Sequence, residues 1–165
     1  MNRPETSALA TPPFLGKQDR DRARHASGAG SVAVVVGPDG IVLHLRDDKP
    51  SIPNPGRWSL FGGAADPGEH PYTTIVRELR EELGITPETC RPLWRLVDTD
   101  GDGRLLTVFE ARTNVATDRL VLNEGQALGA FSLAEALELR LAEFCRRVLS
   151  DYSAVSTLYE LRHVD

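Results

Sequence analysis

The sequence predicts an α/β (α+β) domain with a mixed β-sheet between helices, and three observations carry that expectation. Val-rich runs flank Gly and Pro turns, one segment at 71–83 has clear helical period, and strand-like and helix-like stretches follow one another along 30–149. A chain of 165 residues has room for a single core. The expected organisation is therefore one domain over 30–165 preceded by an extension, 1–29, that holds Pro4, Pro12, Pro13 and a charged run from Lys17 to Arg24 but no sustained apolar period. That extension is expected to be disordered.

Each element follows from local chemistry. Ser31 to Val36 and Ile41 to Arg46 read as strands of a hairpin, because Gly37-Pro38-Asp39-Gly40 between them suits a tight reversal. Asp47 to Arg57 holds three prolines and no period, so it is a loop leading into a short strand at Trp58 to Phe61. From Pro71 to Leu83 the apolar residues Ile75, Val76, Leu79 and Leu83 recur at helical spacing, with Pro71 suited to the first turn and Gly84 to the end. Leu93 to Val97 and Leu105 to Ala111 should pair across the turn Asp98 to Gly103. A strand at Ala127 to Phe131 precedes Ser132 and Glu135 at capping-box spacing, and helical pattern runs on through Leu141 to Leu149.

Composition narrows the function. Hydrophobic residues at 41% and charged residues at 26% are those of a folded globular chain, and no segment is long and uncharged enough to cross a membrane or serve as a signal-peptide core. A net charge of -5 offers no positive field for long nucleic acid. Two cysteines, Cys90 and Cys145, are too few for a disulfide framework or a zinc site, so a cytoplasmic setting is expected. The histidines His25, His44, His70 and His163 show no ligand spacing and read as incidental.

The chemistry concentrates after Gly62-Gly63. Glu69 stands six residues beyond Gly63, Arg77-Glu78-Leu79 follow, then Glu81-Glu82 and Gly84-Ile85. Glu78, Glu81 and Glu82 lie at i, i+3 and i+4 and share one helix face, with Ile75, Leu79 and Leu83 expected opposite as the anchor to the sheet. Like charges at that spacing repel, and a hard divalent cation with oxygen ligands offsets the repulsion well. The competing explanation is a solvated acidic face stabilised by Arg77 to Glu81 pairing.

This run resembles the Nudix box, Gly-x5-Glu-x7-Arg-Glu-U-x-Glu-Glu-x-Gly-U with U aliphatic, and every defined position matches. The resemblance implies an α/β/α sandwich and an Mg²⁺- or Mn²⁺-dependent hydrolase that cleaves the diphosphate bond of a nucleoside diphosphate linked to another moiety. It implies metal ligation by Glu78, Glu81, Glu82 and the carbonyl of Gly62, and support from Gly63, Glu69, Arg77 and Gly84. Phe61 stands where many members have Pro, and Thr74 where many have a small Ala; neither is expected to touch a charged ligand.

Downstream, Glu124-Gly125-Gln126 resembles the Glu-Gly-Gln that supplies a further carboxylate in mutator-type members, which makes Glu124 a candidate metal ligand or base beside Glu81; a solvated loop Glu is the plain alternative. Arg46, Lys49 and Arg57 are candidate phosphate contacts, and Trp58 a candidate base-stacking residue. Asp98-x-Asp100-x-Asp102-Gly103 opens like a calcium loop, but its twelfth position is Phe109 and its flanks are strand-like, so it reads as a hairpin turn. The expected partner is a small nucleotide, with homodimerisation left open.

Two other functions compete: a nucleotide-binding regulatory module without turnover, and an RNA-end decapping enzyme. The intact carboxylate turn argues against the first, and the acidic balance against the second. Residues that mark ADP-ribose, NADH, coenzyme A and dinucleoside polyphosphate subfamilies are not evident, which leaves nucleoside triphosphates and nucleotide sugars.

Overall fold

The computed structural model describes residue 15 and residues 17–161. Among the described residues there are seven strands: β1 (Ala29–Gly37), β2 (Gly40–Leu45), β3 (Trp58–Ser59), β4 (Phe61–Ala64), β5 (Thr89–Val97), β6 (Leu105–Arg112) and β7 (Ala127–Phe131). Four α-helices accompany them among the described residues: α1 (Lys17–Ala23), α2 (Pro71–Leu83), α3 (Leu133–Glu138) and α4 (Glu143–Leu161). The strand order is β3-β2-β1-β6-β5, with β4 also on β1 and β7 also on β2. β1 and β6 run parallel and the other pairs antiparallel, which makes the sheet mixed as expected.

The sheet is buried on both faces, and this explains why β1 reads as a continuous apolar run. Val32 and Val34 face one core with Leu106, Val108, Cys145 and Leu149, under α3 and α4. Ala33 and Val35 face the other with Phe109, Ile75, Leu79 and Leu83, under α2. Period-2 alternation thus divides one strand between two cores. Glu110 on β6 is 2% exposed, paired with Arg91 and Arg112, and accepts a hydrogen bond from Tyr152 of α4.

Two expectations change. The helical pattern from Ser132 to Leu149 is broken into α3 and α4, because the chain between them turns to meet β3: Trp58 N–H donates to Arg140 O and Ala142 N–H to Trp58 O, both at 2.9 Å. The capping box itself is present, with Ser132 and Glu135 bonded reciprocally. In the stretch expected to be disordered, residues 1–14 and 16 lie outside the described residues, as does His163. The rest of that stretch is ordered. Leu15 bridges Arg95 on β5, α1 packs on β5, and Asp19, 1% exposed, accepts from Val97 N–H at 3.2 Å and pairs with Arg147 of α4. Ordering here rests on a buried ion pair and edge-strand hydrogen bonds, which an apolar period does not report.

Candidate active site

The central helix is set by its ends. His70 caps the N-terminus, its Nδ1 accepting from Tyr72 N–H at 3.1 Å, and Pro71 fills the first turn. Gly84 closes the other end with φ 65°, its N–H donating to Arg80 O at 3.0 Å. Ser31 Oγ donates to Pro71 O at 2.8 Å and ties the helix start to β1. His70 is therefore not incidental.

β4 brings the glycines against this helix. A Cβ on Gly62, where φ is +144°, would lie 2.1 Å from Ser31 O, and one on Gly63 would lie 2.7 Å from Glu78 Oε1. Only glycine allows this approach. Gly62 N–H donates to Glu82 Oε2 at 3.1 Å. Glu82 is 8% exposed and its carboxyl is pushed up to about 8, first by burial and then by the nearby Glu78 and Glu124, against the pull of the Gly62 N–H. Burial likewise raises Glu78. The expectation that the three glutamates sit opposite the apolar stripe fails for Glu82: Ile75, Leu79 and Glu82 are spaced i, i+4 and i+7, which puts Glu82 on the stripe itself.

Arg77 is the hub of the surrounding bonds. Its Nε and Nη2 donate to Glu69 at 3.0 and 2.9 Å, Nη2 to Ala64 O at 2.9 Å, and Nη1 to Glu78 at 2.8 Å and Glu81 at 3.2 Å. Arg77 holds the Glu69 carboxyl down to about 2, helped by the Thr74 hydroxyl. That hydroxyl donates to Glu69 Oε1 at 2.8 Å, so Thr74 takes part in holding the supporting carboxylate. The Arg77 to Glu81 pairing of the plain structural explanation is present too, beside the buried Glu82 that it does not account for.

Glu124 arrives on a loop tied at both ends. Asn123 N–H and Nδ2 donate to the carbonyls of Glu82 and Glu81, each at 2.9 Å, while Gln126 N–H donates to Leu45 O at 2.7 Å and Nε2 to Arg46 O at 2.8 Å. Gly125, with φ +103°, lies where a Cβ would meet Leu45 O at 2.7 Å. Beneath it His44 is 2% exposed, stacks on Phe61 at 4.6 Å and has Nε2 3.2 Å from Leu60 O, with its pKa lowered chiefly by burial. His44 supports this loop and so is not incidental either.

These pieces surround a cavity of about 330 Å³. Glu78, Glu82, Glu124, Gly62, Gly63 and Arg46 line it. Glu81 does not; its side chain is 58% exposed and held by Arg77. Lys49 pairs with Asp47 on the surface, Arg57 donates to Leu141 O at 3.1 Å, and Trp58 packs edge-on against Phe131, so the structure does not bring these three to the cavity. It brings instead Asn54, Phe144 and the 98–104 turn with Asp98, Asp102 and Arg104, which sequence reasoning missed as site residues. The turn closes the β5–β6 hairpin as expected, with Asp98 N–H on Arg104 O and Gly103 N–H on Asp98 O, both at 2.9 Å.

The donor set fits a hard divalent cation. Glu78, Glu82 and Glu124 bring carboxyl oxygens to one cavity, and burial is the first cause that raises Glu82, the state a bound cation would reverse. Among the described residues no three such side chains already converge as a closed ligand cluster, since Arg77 holds Glu78 and Glu81 on its own side.

A mixed sheet between helices, with helix and loop carboxylates around one cleft, defines the class as an α+β domain with an acidic site. The sequence pattern of the NUDIX domain matches residues 26–152, and the chain belongs to that family. It is similar to nucleoside triphosphatase NudI of Salmonella newport (strain SL254), 47% identical over 62 residues that cover 33% of this chain and 43% of the relative. The match thus spans less than half the length of that curated relative. Among solved structures, the MutT NUDIX hydrolase from Burkholderia pseudomallei is 27% identical with a TM-score of 0.63, covering 74% of this chain and 95% of that one. The NUDIX domain of Shewanella oneidensis NrtR, solved with ADP ribose, shares the fold at a TM-score of 0.65 and 19% identity over 93% of this chain and 98% of that one. Among the described residues no helix is long and apolar enough to cross a membrane.

Proposed function

We propose that this chain hydrolyses the diphosphate linkage of a nucleoside diphosphate derivative with Mg²⁺ or Mn²⁺, and that its substrates are nucleoside triphosphates or nucleotide sugars. The observation that carries the reading is the buried Glu82 facing one cavity with Glu78 and Glu124. The similarity to a nucleoside triphosphatase and to a MutT hydrolase supports the substrate class. Glu78, Glu82 and Glu124 would hold the cation, together with the carbonyl of Gly62. When bound, the cation neutralises phosphate charge and makes water more acidic.

The chain's own groups do the rest. Arg46, at the cavity wall, binds and orients a phosphate oxygen. Glu124 takes a proton from the attacking water as its oxygen bonds to phosphorus and the anhydride P–O bond breaks, releasing the phosphate-bearing leaving group. Glu124 suits this role better than Glu81, whose carboxylate is engaged by Arg77 outside the cavity. Gly62, Arg77 and Glu69 keep the carboxylates in place.

A phosphate and pyrophosphate release screen over nucleoside triphosphates and nucleotide sugars, with Mg²⁺ and Mn²⁺, tests the proposal. Turnover is expected to vanish on chelation, and Glu124→Gln to lower kcat by about 100-fold with the melting temperature kept. Full activity in excess chelator would refute the metal requirement. Tight nucleotide binding with no release from any compound would favour the regulatory-module reading.

A further inference from the structure

The 98–104 turn, which the proposed mechanism does not use, forms a wall of the catalytic cavity and carries a cation into it. The ionisable lining is mostly acidic: Glu78, Glu82, Glu124, Asp98 and Asp102 against Arg46 and Arg104. Arg46 already spends its Nε on Pro53 O at 2.8 Å. A polyphosphate entering such a cleft needs further positive charge on the protein, and Arg104 is the other cation on the lining.

The position of Arg104 is built. A Cβ on Gly30 would lie 2.9 Å from Arg104 Cδ and 2.7 Å from Gly63 O, so the missing side chain on β1 leaves the channel through which the arginine stem crosses towards the glycine pair. Arg104 N–H donates to Asp102 Oδ1 at 3.1 Å, and its Nη2 pairs with Asp102. The segment before β1 then fixes the turn from outside. Ser27 Oγ donates to Asp102 O at 2.5 Å, Ser27 N–H to Gly103 O at 3.2 Å, and Leu105 N–H to Gly28 O at 2.9 Å.

We propose that Arg104 is a substrate-binding residue that contacts phosphate oxygens of the nucleotide, and that Ser27, outside the catalytic helix and its loop, is the positioning residue that holds it there. This rests on the reading of the cavity as a nucleotide site. It gives the segment before the domain a part in substrate binding: Ser27 sets the turn, the turn sets Arg104, and Arg104 sets affinity more than rate. The pair with Asp102 orients the planar guanidinium until phosphate engages its remaining N–H groups.

The test uses the full chain with the four deoxynucleoside triphosphates and Mg²⁺, reading KM and kcat by pyrophosphate release, and Kd for their non-hydrolysable α,β-methylene analogues by calorimetry. Arg104→Gln is expected to raise KM and Kd about tenfold with kcat within about threefold, and Arg104→Lys to recover most of the loss because it keeps the charge. Ser27→Ala should raise KM severalfold, and the double variant Ser27→Ala/Arg104→Gln should be no worse than Arg104→Gln alone, since one acts through the other. KM and Kd within twofold of wild type in Arg104→Gln, with activity present, would overturn the proposal and leave the hydrolase reading standing. If the wild type binds the analogues but hydrolyses neither the triphosphates nor the nucleotide sugars, the hydrolase reading falls and Arg104 is judged on Kd alone. If it neither binds nor hydrolyses them, the Arg104 proposal is overturned for triphosphates, and the hydrolase reading falls with it only if the nucleotide sugars are left intact as well.

Discussion

Glu82 shows how one residue can set the behaviour of a site. Its carboxyl ionises near 8 in the folded chain against an ordinary value near 4.5, because burial penalises the charge. An acid raised on folding binds more protons folded than unfolded, so the metal-free chain loses stability as pH climbs from about 4.5 to about 8, by up to about 5 kcal/mol from this group. Melting curves in chelator should therefore show Glu82→Gln matching wild type near pH 5 and melting higher near pH 8, while Mg²⁺ stabilises wild type more than the variant. A wild type as stable at pH 8 as at pH 5 relative to Glu82→Gln would show that the carboxyl is solvated. Spacing alone put three glutamates on one turn, but their separate fates depend on angle. Glu82 falls on the Ile75 and Leu79 stripe, Glu78 beside it, and Glu81 beyond it, which is why burial divides them so unequally.

At the scale of elements, α2 was legible because its caps and its apolar period agree over 71–84, and local agreement of that kind fixes a helix. The loops were not, since the pattern of a loop does not state where it packs. Residues 98–104 could be read as a turn from Asp and Gly, yet their place beside the carboxylates depends on the β5–β6 pairing and on Ser27. Lys49 and Arg57 show the reverse: both neighbour the site in sequence, yet one pairs with Asp47 on the surface and the other bonds Leu141 O, and neither lines the cavity. The 123–126 loop is the element on which Glu124 depends. Removing the Gln126 side chain deletes its bond to Arg46 O without touching the cavity lining, so Gln126→Ala should lower kcat/KM about tenfold while costing only about 1 kcal/mol of stability. Steady-state kinetics and urea unfolding on one preparation separate the two effects. A stability loss with unchanged kcat/KM would mean that Gly125 and Asn123 hold Glu124 unaided.

For the molecule as a whole, the segment before β1 joins parts that the family pattern, which begins at residue 26, leaves separate. Asp19 on α1 reaches the backbone of Val97 at the end of β5 and the guanidinium of Arg147 on α4, and Arg147 in turn donates to Val97 O at 3.3 Å. Three elements meet at one carboxylate that is 1% exposed. Removing one partner of a buried pair leaves the other without its counter-charge and costs roughly 3 to 5 kcal/mol, far more than an exposed pair contributes. Asp19→Ala should then lower the melting temperature by roughly 6 to 20 °C, at about 2 to 4 °C per kcal/mol for a chain of this size. Asp19→Asn keeps an acceptor for Val97 N–H and should lose less. Deleting residues 1–28 removes the carboxylate together with its cover, so Arg147 gains water in place of its partner, and the loss should fall between the two substitutions while Ser27 is lost as well. Thermal unfolding of the three variants in chelator and in Mg²⁺ reads this order directly. Equal melting temperatures for wild type, Asp19→Ala and the deletion would show that α1 does not stay docked in solution.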